Sequence, residues 1–238
     1  MKSGTTIFLY GLHILINKNS SVFGTKPILW EELPMKKCLA CLLLFVMILS
    51  GCEMDPIPKD AVFGFAREIP EAEQTVRLQV VHTAEQWLDC KESDGSFKPI
   101  IDLYNDHKPL AMDYAVKYTD QWCATFGSAV AIKCGFTDII PTECGCQRQI
   151  GLFDELGCWQ EDDAYIPLPG DYIFYALGNI EDNNTAWSDH VGIVVGTWNE
   201  YMKVIEGNYN EAVSYRIIKV DDVKIRGYGL PDYASITE

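Results

Sequence analysis

Between Pro169 and Tyr233 the chain settles into one pattern. The segments PGDYIFYAL, DHVGIVVGTW, YMKVIEGN, AVSYRIIKV and KIRGYGLPDY follow at regular spacing, rich in Val, Ile and Tyr and broken by Gly, Asn and Pro. Branched and aromatic side chains suit a pleated, half-buried surface, and the breaks are turn formers, so the series predicts an antiparallel sheet. Upstream the pattern is helical. DQWCATFGSAVAIKCGF carries Phe126, Val130 and Cys134 on one face, with Ala129 and Ile132 beside it. Thr119 or Asp120 can cap its start, and Gly135 suits its end. TAEQWLDC can start a helix at Thr83, and FKPIIDLYND is a second short helix or turn. Helices first and strands second point to an α+β domain, with N-terminal helices packed on the antiparallel sheet.

The N-terminus carries a different signal. In MKKCLACLLLFVMILSGCEMD, Lys36 and Lys37 form a positive segment. Leu39 to Leu49 form an apolar one, of signal-peptide length and short for a membrane span. It ends in Leu49-Ser50-Gly51-Cys52, which resembles the bacterial lipobox. That resemblance implies lipidation of Cys52 and anchoring to the outer face of a bacterial membrane. An ordinary cleaved signal or an uncleaved anchor is the alternative. Residues 35–51 are then the signal, and Met35 is its natural start. Residues 1–34 are expected to be an upstream extension from a start codon assigned too early. Residues 52–83, with their prolines and charges, read as a tether between membrane and domain, and residues 84–238 as the folded domain.

Composition narrows the partners. The formal net charge is −15, and five of the 19 basic side chains precede Cys52. Phosphate backbones repel such a chain, so nucleic acid is not an expected partner. A hydrophobic content of 48% argues against disorder. Of nine cysteines, six (90, 123, 134, 144, 146 and 158) lie beyond the signal and Cys52. Outside the cytoplasm such thiols can pair, but their number does not settle which. Cys144-Gly145-Cys146 is too tight for a relaxed bridge with itself. Cys134, Cys144, Cys146 and Cys158 lack the paired spacing of a structural zinc site. No metal and no cofactor is expected. The acidic run at Glu161–Tyr165 reads as a solvated loop.

Cys123 opens the helical stretch. With Asp120 as cap it lies at the third helical position, where free N–H groups and the helix dipole favour a thiolate. A cysteine nucleophile needs a base, and the base needs an orienting group. His82 and His107 sit in polar surroundings, whereas His190 opens a strand directly before an apolar run. The next strand ends in Glu206 and Asn208, two residues apart and so on one face of a regular strand. Either could accept the imidazole Nδ1–H and leave the other nitrogen as base. Asp189, beside His190, points to the opposite face. Asp171 reads as a turn residue, and Trp122 as core rather than a sugar platform.

Taken in order, WCATF, PGDYIFY, DHVGIV, VIEGN and GYGLPDY resemble the CHAP family, cysteine- and histidine-dependent amidohydrolases and peptidases of papain-like fold. The likeness covers roughly residues 84–233. It implies Cys123 as nucleophile, His190 as general base, Glu206 as orienting acid and Asn208 as an amide lining the same site. It also implies peptidoglycan as substrate, cut at the muramoyl–L-alanine amide or within the stem or bridge peptides. The chain is expected to act as a monomer. Two rivals remain at this stage: a non-catalytic wall-binding lipoprotein with the same fold, and a cysteine peptidase acting on a protein.

Overall fold

The computed structural model describes residues 57–162, 164–178 and 187–237. The expected upstream extension, the signal and Cys52 lie outside them. Among the described residues there are four α-helices, α1 (Glu71–Glu85), α2 (Lys98–Asp106), α3 (Cys123–Cys134) and α4 (Cys146–Glu155). Six strands follow: β1 (Trp159–Gln160), β2 (Tyr172–Tyr175), β3 (His190–Trp198), β4 (Tyr201–Tyr209), β5 (Ala212–Lys219) and β6 (Ile225–Gly229). They form one sheet in the order β1-β6-β2-β3-β4-β5, with every neighbouring pair antiparallel. The α+β expectation and the strand series hold. None of the described helices is long and apolar enough to cross a membrane.

Period-two alternation divides the sheet between two cores. Tyr172, Phe174, Val191, Ile193, Ile205 and Val213 face the helices with Trp122, Phe126, Val130 and Phe153. Ile173, Tyr175, Val194, Met202, Val204 and Ile218 pack on the other side with Tyr228. Helix α3 is central because small residues let it approach. A Cβ on Gly207 of β4 would stand 2.4 Å from Phe126 Cβ, so glycine there sets the depth at which α3 seats on the sheet. The helix stops as expected. Gly135 takes φ 74°, and Phe136 N–H reaches back to the Ala131 carbonyl.

Two expectations about the helices fail. The tether does not run to residue 83. Gly64 already exchanges backbone hydrogen bonds with Thr197 of β3, and α1 begins at Glu71. Helix α1 buries Arg77, Val80, Val81, Thr83 and Ala84, so Thr83 lies near the end of a helix and does not cap one. Helix α3 starts at Cys123 with Trp122 at the cap position and no side-chain cap. The Asp120 carboxylate is occupied instead, accepting from Lys117 N–H at 2.8 Å and Tyr114 Oη at 2.6 Å. Cys123 is therefore the first helical residue, not the third.

Candidate active site

The Cys123 thiol sits where three elements converge. The N-terminus of α3 supplies the thiol itself, 5% exposed. Residue one of β3 supplies His190, 7% exposed, whose imidazole helps draw the thiol's pKa down. The N-terminus of α4 supplies Cys146, whose Sγ lies 3.5 Å from Cys123 Sγ. Behind His190 stands Glu206 of β4, fully buried, with Oε2 3.0 Å from the imidazole Nε2. Ile205 pairs with Ile193, so Glu206 crosses the strand over Gly192. A Cβ on Gly192 would meet Glu206 Cγ at 2.7 Å; glycine there clears the path of the carboxylate towards His190. The imidazole nitrogen held by the acid is thus Nε2 and not Nδ1.

Glu206 is anchored in turn by Arg216 of β5. The guanidinium Nε lies 2.9 Å from Oε1 and 3.0 Å from Oε2, straddling the carboxylate. The same guanidinium lies over the rings of Tyr209 and Tyr175 at 4.2 and 5.3 Å, and the Tyr175 hydroxyl faces Glu206. A buried carboxylate needs such partners, because removing a charge from water costs several kcal/mol. Sequence reasoning missed Arg216 and Tyr175. The available signal was a lone arginine inside the apolar strand AVSYRIIKV, which calls for a buried anion.

Asn208 does not join Glu206 at the imidazole. The β4–β5 register shifts between Glu206 and Tyr209, and Asn208 adopts φ 58°. That bulge breaks the regular alternation on which the shared face rested. The Asn208 amide turns towards the start of α3. It lies 2.6 Å from the Gln121 amide and, oriented to satisfy its neighbours, 3.2 Å from Trp122 N–H and 3.3 Å from the Glu92 carboxylate. Asn208 therefore fixes the two residues before Cys123. Trp122 itself is fully buried, with Nε1 donating to Glu92 at 2.9 Å, so it is core as expected. Asp189 points away and accepts from Leu177 and Gly178 N–H, both at 2.9 Å.

The electrostatics follow from these contacts. The Cys123 thiol is held well below its usual range. Its largest cause is the hydrogen bond from Cys146, joined by the imidazole of His190 and the Ala124 N–H, and together they outweigh burial. For His190, burial alone would lower the pKa; hydrogen bonds and charge from Cys123 and Glu206 lift it to about 9. Both directions favour the thiolate–imidazolium form of the pair over the neutral one. That is the charge state a thiol nucleophile with an attached proton donor requires. Among the described residues no group of three or more His, Cys, Asp or Glu side chains could hold a metal ion. No protein-family model, no curated protein and no solved structure matches the chain.

Proposed function

We propose that the chain is a cysteine amidohydrolase or peptidase of the papain-like CHAP type. It cleaves an amide bond of peptidoglycan while anchored through a lipid on Cys52 to the outer face of a bacterial membrane. The observation that carries this reading is the Cys123–His190–Glu206 relay, with a thiol pushed down and an imidazole raised to about 9. The wall as substrate rests on the resemblance of the five ordered motifs, and the anchor on the lipobox-like tetrapeptide.

The chemistry runs in two halves. Thiolate Cys123 attacks the amide carbonyl, and negative charge develops on its oxygen. The N–H groups at the start of α3 have no intrahelical partners, and that of Cys123 is the donor available for this charge. Imidazolium His190 protonates the departing amine, and the acyl group stays on sulfur. Neutral His190 then takes a proton from water, and the hydroxide so formed releases the acid and restores the thiolate. Glu206 keeps the ring oriented throughout and stabilises its positive form. The short run of chain between Cys52 and Gly64, at no more than about 3.4 Å per residue, would confine the enzyme to wall near the membrane.

Digestion of purified peptidoglycan, with products weighed by mass spectrometry, tests this directly. The wild type releases fragments whose masses name the bond, and Cys123→Ala releases none. Fragments from both proteins, or from neither when both are folded, would remove Cys123 from the chemistry.

A further inference from the structure

The site contains a second thiol that the hydrolytic steps do not use. Cys146 is the first residue of α4, as Cys123 is the first residue of α3, so two helix N-termini aim at one pair of sulfur atoms. The juxtaposition is built from both sides. Ser128 of α3 donates from Oγ to the Glu143 carbonyl at 2.7 Å and accepts the Glu143 N–H at 2.8 Å. The buried Glu143 carboxylate then accepts from Cys144 and Gly145 N–H, at 2.7 and 3.1 Å, and sets the first turn of α4. From the other side Ser188 N–H, just before the catalytic strand, bonds Gln147 Oε1 at 2.9 Å. Cys144 is turned elsewhere, its sulfur 3.6 Å from Arg148 Nη2.

We infer that Cys123 and Cys146 form a thiol–disulfide exchange site that takes low-molecular-weight disulfides and closes into an internal bond, switching the nucleophile off. The regulatory half rests on the reading of Cys123 as the nucleophile. The steps balance. The Cys123 thiolate attacks one sulfur of the small disulfide RSSR, forming Cys123–S–SR and releasing RS⁻. Cys146 loses its proton and attacks the Cys123 sulfur, forming the Cys123–Cys146 bond and expelling the second RS⁻, which takes up the proton. Two protein thiols are oxidised and one disulfide is reduced to two thiols.

The order of events is written into the electrostatics. Cys146 is held well above its usual range, first by its hydrogen bond to Cys123, then by burial, by the charge of the Cys123 thiolate and by that of Asp189. Capture of Cys123 in a mixed disulfide removes that bond and the thiolate charge. Burial and the Asp189 charge still oppose ionisation, but both contributions from Cys123 are gone, and Cys146 stands at a helix N-terminus beside the sulfur it must attack. The 3.5 Å contact leaves the sulfurs about 1.5 Å to close before a bond of about 2.05 Å forms.

The test uses glutathione disulfide as the probe. Reduced protein is incubated at graded ratios of glutathione disulfide to glutathione, then alkylated, digested and weighed, with wall cleavage assayed on the same samples. The expected result is a peptide pair linked through Cys123 and Cys146. Cleavage falls as the linked fraction rises, by about tenfold when nine-tenths is linked, and returns with a dithiol reductant. Cys146→Ser should instead accumulate glutathione on Cys123. The inference is overturned if wild type stops at the mixed disulfide, or if Cys123 links to Cys144 or another cysteine. Because the linkage is read by mass, a Cys123–Cys146 bond in a protein that cleaves no wall when reduced would keep the exchange site and discard the hydrolase.

Discussion

Among the described residues two carboxylates, Asp171 and Glu206, are fully buried and paired with arginine, and their other partners differ. Asp171 accepts from Arg77 Nη1 at 2.7 Å, Tyr165 Oη at 2.6 Å and Leu168 N–H at 2.8 Å. Arg77 in turn bonds Glu73 and the Pro169 carbonyl. Asp171 is more than the expected turn residue: it locks α1 to the turn before β2. Glu206 has the same kind of arginine, but its other partner is an imidazole at 3.0 Å that itself touches a thiol. The partners of Asp171 are an arginine, a tyrosine hydroxyl and a backbone amide, none of which changes charge near neutral pH. The partner of Glu206 does. On the proposed function, one buried acid–arginine pair is a structural lock and the other part of a reaction centre, and what sets them apart is what the remaining lone pairs hold.

Substitutions should separate the two. Cys123→Ala should reduce wall cleavage by at least about 10³-fold with the thermal midpoint retained, as read by product mass and a melting curve. Glu206→Gln should lower kcat by about 10²- to 10⁴-fold, because the ring loses its orienting charge, and the alkaline limb of the pH–rate profile should move below 9. Asp171→Ala should do the reverse. It leaves the buried Arg77 with Glu73 as its remaining acid and removes the acceptor of Tyr165 and Leu168, at a cost of about 3–5 kcal/mol of stability in denaturant titration, while kcat measured well below the midpoint stays close to wild type. Asn208→Ala should be mildest, lowering kcat by about tenfold through a looser start to α3 and leaving the pH limbs in place. An Asn208 variant that shifted the alkaline limb would return that residue to the imidazole.

The sheet was legible because its strands carry a simple period and end in strong turns; Asn210 and Glu211, both at positive φ, make the two-residue link between β4 and β5. Cys123 and His190 were legible because each opens an element beside an apolar run. Helix α1 was hidden by its polar residues. Arg77 and Thr83 are buried by partners distant in sequence, which no local pattern reveals. Helix α4 was hidden because its first turn is set by Glu143, outside the helix, while the Cys-Gly-Cys spacing drew attention to bridges and metals. The position of Asn208 depended on a bulge, and an alternation rule has no term for an inserted residue.

The central claim is a thiolate–imidazolium pair at rest, and the alkylation rate of Cys123 across pH tests it most directly. Purified protein is pulsed with iodoacetamide between pH 4 and 10, and the Cys123 peptide is quantified by mass. The account predicts reactivity that persists well below the ordinary thiol value of about 8.5, with a second inflection near 9 as His190 loses its proton. The low-pH reactivity should weaken in Glu206→Gln, which destabilises the imidazolium but leaves the Cys146 hydrogen bond in place. A single titration near 8.5, unchanged by that substitution, would mean that Cys123 rests as a neutral thiol and would contradict the account.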